Sequence, residues 1–345
     1  MKIGKIVLSL ILITGISLST LAQPKKNVKP ITVIFDTDIG GDIDDVLALQ
    51  MLYNYHKQGI INLLGITLSK PNPRVIEFVD GLSRFNNLEN IPIGYVYKGT
   101  FPDLSRYVTV PLDTMIDGKK ILYPKLSVKD NPPNGYELIR ELLASQPDHS
   151  VVMIVVGGQT NLGNLIKSIP DKYSRLNGVE LVAKKVKFLS LMGGNFTTET
   201  FNNPECNMIL DLNATKLVFD KWPTEIVLSP SEVGSKILYP SKSFIDNLPD
   251  YHKHPIYIAY CNYDKMPYDR PTWDLTSVLY AVEPTANYFD ISPKGWVKVD
   301  EIGKTSFKVD TKGKHSILSV NNPKQIGRVK KECVLLVTGK QWEEK

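Results

Sequence analysis

Five short, largely apolar runs punctuate the chain up to residue 229, at 31–35, 63–68, 151–156, 186–192 and 225–229. Runs of this length with no polar alternation suit strands of a parallel sheet covered on both faces. Between them, residues 45–55, 136–144, 162–169 and 214–219 space their apolar positions at helical intervals. Strand and helix in alternation predict an α/β fold: a Rossmann-like, mostly parallel sheet flanked by helices. The pattern changes after Pro284. Short alternating strands are expected at 306–309 and 317–320, then a stronger apolar run at 334–337, with no clear helix. This reads as a β-rich closing segment of the same single domain, spanning 31–340. In open α/β sheets ligands bind beyond the carboxyl ends of the strands. The residues that follow each apolar run are therefore the ones to inspect.

The leading segment stands apart. Lys2 and Lys5 precede an apolar stretch at 6–16, and Thr20-Leu21-Ala22 closes it. That layout predicts a signal peptide over 1–22, cleaved after Ala22, and a secreted or periplasmic protein. The stretch is short for a bilayer span, so no stable membrane insertion is expected. Residues 23–30 carry lysines and prolines and read as a solvated leader. The net charge of +5 includes those first two lysines. The remaining excess is small and scattered, which argues against a nucleic-acid partner. Cys206, Cys261 and Cys333 lie far apart, with no zinc spacing and no disulfide framework. One disulfide stays open as an alternative to mostly buried thiols.

Candidate chemistry begins at the end of the first run. Asp36, Asp38, Asp42, Asp44 and Asp45 place five carboxylates within ten residues, around Gly40-Gly41. A helix N-terminus explains one or two acidic residues through capping and the helix dipole. It does not explain Asp36 and Asp38 at a strand end. A hard divalent cation with oxygen ligands does, and calcium tolerates irregular geometry best. Ile39 and Ile43 break the ligand spacing of an EF-hand. A phosphohydrolase with Asp36 as nucleophile is a competing reading of the same Asp-x-Asp.

The stretch resembles the Asp-x-Asp-x-Gly-x-Asp-Asp signature of the inosine-uridine nucleoside hydrolase family, with two extra residues between Asp38 and the Asp44-Asp45 pair. Three further segments resemble that family in order along the chain: Gly157-Gly158-Gln159-Thr160-Asn161, then Met192-Gly193-Gly194-Asn195 with Glu205-Cys206-Asn207, then Trp273-Asp274. The resemblance implies a calcium-dependent N-ribohydrolase. It assigns calcium to Asp38, Asp44, Asp45, Asp274 and the Val156 carbonyl, with Asp42 as an alternative to one of the pair. It makes Asp38 the base, and gives Asn195, Glu205 and Asn207 to the sugar. Trp273 stands where the family often has the His that helps the departing base. Ser69 and Asn72 are weaker sugar or water ligands. Tyr263, Tyr268, His252 and His254 are polar or aromatic candidates near the leaving group, the two histidines reading as an exposed loop. The implied partner is a small ribonucleoside, and a homodimer or homotetramer is the implied assembly. A non-catalytic binder of ribosyl ligands remains the other alternative.

Overall fold

The computed structural model of the chain describes residues 29–99, 105–197 and 204–343. The expected signal peptide, and all but the last two residues of the leader, lie outside the described residues. The centre of the molecule is a ten-stranded sheet. Its strands are β1 (Ile31–Thr37), β2 (Ile61–Leu68), β3 (Ile93–Gly94), β4 (Val151–Val155), β5 (Val186–Met192), β6 (Glu225–Ser229), β7 (Asp290–Ile291), β8 (Gly295–Val299), β9 (Thr305–Val309) and β10 (His315–Ser319). They lie in the order β9-β8-β10-β6-β5-β4-β1-β2-β3, with β7 alongside β10. Pairing is parallel from β3 across to β10 and antiparallel only where β7, β8 and β9 join.

The five sequence-expected strands are β1, β2, β4, β5 and β6. Successive side chains point to opposite faces, so continuous apolar runs feed two cores. Val33 and Phe35 of β1, with Val152 and Ile154 of β4, pack on one face. Ile34, Val151, Met153 and Val155 pack on the other. The first core is covered by α1 (Asp44–Lys57) and α2 (Pro73–Phe85). The second is covered by α3 (Gly135–Ala144), α4 (Thr160–Lys167), α5 (Gly178–Lys185) and α6 (Leu212–Lys221). Later in the chain, α7 (Trp273–Val282) and α8 (Pro323–Thr338) return to the first face.

The run at 334–337 is not a strand. It lies in α8, which Asn322 caps through Gln325 N, with Pro323 in its first turn. Gly339 ends it in the left-handed region at φ +75°. A short apolar run carries no helix-or-strand information by itself. The deciding signals are the Asn-Pro start and Gly stop around it. The thiols also differ from expectation: all three are free, Cys333 is buried, Cys261 half-buried, and Cys206 exposed. Cys206 is exposed because it opens a four-residue helical turn at a cavity. Among the described residues, no helix is long and apolar enough to cross a membrane.

The chain builds β1, β2 and β3 in one direction from the centre, then crosses to β4 on the other side of β1. The strand order reverses there, which opens a crevice beyond the carboxyl ends of β1 and β4. Asp38 follows β1, and Val156 follows β4.

Candidate active site

A cavity of about 640 Å³ occupies that crevice. Its lining includes Asp38, Asp44, Asp45, Val156, Asn195, Glu205, Asn207, Trp273 and Asp274, so the residues that the resemblance gives to the metal, the base, the sugar and the leaving-group position share one space.

Asp44 and Asp45 occupy the first turn of α1, and Asp274 the first turn of α7. Each offers a carboxylate oxygen within 4.8 Å of the others, and all three are buried. The Asp274 backbone N–H donates to Asp44 Oδ2 at 3.1 Å, and the Thr37 hydroxyl donates to Asp45. Burial pushes all three carboxyls well above the usual range, and neighbouring carboxylates push them further. Buried carboxylates in mutual contact are costly unless a cation or proton compensates them. Three acidic oxygen donors converging on one point suit a hard divalent cation.

Asp38 sits beside this trio, and its Oδ2 lies 3.2 Å from Lys70 Nζ. Burial raises its proton affinity, and the Lys70 ammonium opposes that shift. A Cβ at position 157 would lie 2.7 Å from Asp38 Cβ and 2.6 Å from its backbone nitrogen. Glycine is thus required there by close approach. Asp42 does not join the trio. Its carboxylate takes both Nε and Nη2 of Arg270, the former at 2.8 Å. Asp36 points elsewhere: it is fully buried and accepts from Thr67 and Asn161. It does not line the cavity, so the geometry gives no support to Asp36 as a phosphohydrolase nucleophile.

Glu205 caps the turn Cys206–Ile209. It accepts from the backbone N–H groups of Gly194 (3.2 Å), Asn207 (3.0 Å) and Met208 (3.3 Å). Burial nevertheless raises its pKa to about 7. Asn207 donates to the Val156 carbonyl at 2.9 Å, which ties the two residues together. Asn195 is anchored through Thr305, whose hydroxyl accepts from its N–H and donates to its carbonyl. The Trp273 indole N–H is directed to Ser231 O and Ser235 Oγ, each at 3.0 Å.

Weaker candidates separate. Asn72 caps α2 by accepting from Arg74 N, and Ser69 donates to Thr37 O. His252 is exposed. His254 is half-buried, not looped into solvent: it caps the helix Pro255–Tyr263 and packs edge-on against Phe85. Neither histidine lines the cavity. Tyr263 does, whereas Tyr268 stacks on Tyr260. Lys70, Arg106 and Arg270 also line it, and the sequence pattern did not single them out. A lone basic residue in a loop looks like a solvated one, so only the fold reveals them.

The sequence profile of the family described as inosine-uridine preferring nucleoside hydrolase matches residues 33–333. The chain belongs to this family. It is an N-glycosyl hydrolase of the nucleoside hydrolase type, and its buried acidic cluster suits a metal-dependent member. Solved structures with the same fold include a purine-preferring ribonucleoside hydrolase from Gardnerella vaginalis, at 18% identity and a TM-score of 0.63, covering 90% of this chain and 100% of that one. An inosine-uridine preferring nucleoside hydrolase from Bacillus anthracis has 16% identity and a TM-score of 0.64, covering 89% and 99%. A plant nucleoside hydrolase has 16% identity and a TM-score of 0.65, covering 90% and 100%. No curated protein sequence matches the chain significantly.

Proposed function

We propose that this nucleoside hydrolase cleaves ribonucleosides to ribose and free base with a calcium ion held by Asp44, Asp45 and Asp274. The observation that carries the proposal is the convergence of those three buried carboxylates beside Asp38, inside one cavity at the strand-order reversal. Asp38 and the Val156 carbonyl are the further oxygen donors within the same lining. Bound calcium would supply Lewis acidity, lowering the pKa of a water and orienting it.

The protein's own groups do the rest. Asp38 takes the proton of the attacking water, and Gly157 keeps its carboxylate in place by leaving no side chain against it. Glu205, fixed by three backbone donors, accepts from a sugar hydroxyl. Asn207 and Asn195 fix the remaining edge of the ribose. These groups hold the sugar while positive charge develops at its anomeric carbon. The Trp273 ring, pinned by its indole N–H, forms a wall of the leaving-group side. The protein is proposed to act after signal-peptide removal, in the periplasm or outside the cell.

The test is a panel of purine and pyrimidine ribonucleosides, followed by free ribose with calcium and with a chelator. Calcium-dependent ribose release supports the hydrolase. Calcium binding with no release from any nucleoside would leave a binder of ribosyl ligands.

Glu205 adds a pH signature. A carboxyl pushed up to about 7 is increasingly protonated below that pH, and the neutral acid accepts more weakly from a sugar hydroxyl. With calcium saturating, kcat/KM should therefore fall on the acid side as Glu205 takes up a proton, at a pH that the cation's charge brings below the metal-free value. Glu205→Gln should lose roughly 10- to 100-fold, the worth of a charge-assisted hydrogen bond, and its residual activity should keep only the acid limb set by Asp38. An unchanged limb in Glu205→Gln would remove the residue from the sugar site.

A further inference from the structure

The leaving-group side of the cavity holds a built cationic device. The Arg270 guanidinium lies 4.8 Å from the Tyr263 ring centroid and 5.1 Å from that of Trp273. Its Nε and Nη2 bind the Asp42 carboxylate, and Nη2 also donates to the Tyr263 hydroxyl at 2.9 Å. Two aromatic rings and one carboxylate thus fix the plane of the group. Among the described residues, Nη1 makes no hydrogen bond, and Arg270 lines the cavity. The anchor comes from the Gly41-Asp42 portion of the acidic loop, while Asp44 and Asp45 next along the chain go to the carboxylate trio.

The acids in the same cavity are otherwise engaged. Asp38 faces Lys70, Asp44, Asp45 and Asp274 face one another, Asp42 is bound to Arg270, and Glu205 accepts three backbone N–H groups. No histidine lines the cavity among the described residues. A departing base therefore meets a fixed cation and no histidine, and of the other proton-bearing side chains in the lining Lys70 is paired with Asp38 and the Tyr263 hydroxyl is bound to Arg270.

Resting on the hydrolase reading above, we propose that Arg270 is a catalytic residue that receives the departing base as an anion through its Nη1 N–H groups. A guanidinium stays protonated at any working pH, so it stabilises charge and does not donate a proton. In the step, the water oxygen bonds to the anomeric carbon and its proton passes to Asp38. The bond from that carbon to the base nitrogen breaks, and the electron pair stays on the nitrogen. The anionic base rests against Arg270 and takes a proton from solvent on release, while Asp38 gives the water's proton back to solvent. Atoms and charge balance with no further reactant. The device favours bases that are stable as anions. A donor aimed at charge that develops in the transition state is worth about 10²- to 10³-fold.

Inosine, uridine and p-nitrophenyl riboside are compared in the native enzyme, Arg270→Gln, Arg270→Lys and the double variant Asp42→Asn with Arg270→Gln. The double variant removes both partners, so that no unpaired Asp42 remains to disturb folding, and melting temperatures report on the fold. The expected result is a loss of about 10²-fold in kcat for inosine and uridine in both Gln-bearing variants. Nitrophenolate leaves readily without help, so p-nitrophenyl riboside should change less than about threefold. Lysine should recover part of the loss by supplying charge without the fixed fork. Equal losses on all three substrates, or none, would overturn the role of Arg270 while leaving the hydrolase reading intact. A native enzyme that cleaves none of the three would overturn both.

Discussion

Asp38→Asn is expected to release ribose at no more than about a thousandth of the native rate, with calcium saturating. Removing a positioned general base costs on the order of 10²- to 10⁴-fold. The upper part of that range applies here, since the other acids of the cavity are engaged. Asn has nearly the shape of Asp, so the close contact with Gly157 survives. Lys70 loses a carboxylate at 3.2 Å but keeps an amide oxygen in the same place. The variant should thus fold, and a melting curve close to that of the native protein would show it. The assay is ribose release under single-turnover conditions, which separates chemistry from product loss. Retention of more than about a tenth of the native rate would remove Asp38 as the base.

The second large effect concerns stability. Asp44, Asp45 and Asp274 have folded-state pKa values raised well above 3.8, by burial first and by a neighbouring carboxylate next: Asp42 for Asp44, Asp38 for Asp45 and Asp44 for Asp274. An acid with a raised folded-state pKa binds protons more tightly in the native state than in the unfolded one. Without calcium, the native protein should therefore lose stability as pH climbs above about 4 and the carboxyls are forced to ionise. Chelated protein should melt at a lower temperature at pH 8 than at pH 5. Calcium reverses the balance, because it binds the ionised trio. At free calcium a hundredfold above its dissociation constant, the gain is about 2.7 kcal/mol, a rise of several degrees. The double variant Asp45→Asn with Asp274→Asn should lose the calcium shift and flatten the pH slope in part, since the buried Asp44, Asp38 and Glu205 carboxyls remain. Melting curves at the two pH values, with calcium or chelator, check both halves. A calcium shift that persists in the double variant would place the cation elsewhere.

The legibility of this molecule followed from how locally each feature is encoded. The five buried strands were visible because a strand covered on both faces has only apolar positions to offer, as at 31–35 and 151–156. The run at 334–337 has the same composition but sits in α8, where the information lies at Asn322, Pro323 and Gly339. The short strands at 93–94 and 290–291 leave no periodicity to detect. In the site, the residues recovered were those in dense motifs, such as the acidic loop and Glu205-Cys206-Asn207. Asp42 and Asp44 were indistinguishable in the sequence because both lie beside the start of a helix. Their partners, Arg270 and Asp274, are more than two hundred positions away. Arg270 and Lys70 carry no local signal at all, since their roles exist only once the sheet has brought distant loops together.

The order of the sheet also bears on solubility. One end is β3, with two residues, too short to template another strand. The other is β9, which has β8 on one side and, among the described residues, no strand on the other. An open edge of five residues invites pairing with a second chain. Lys308 on β9 is exposed, as are Lys298 on β8 and Lys312 and Lys314 in the following turn. Two copies approaching edge to edge would have to bring these ammonium groups together. Brevity at one end of the sheet and like charge at the other thus both oppose its extension by a second chain.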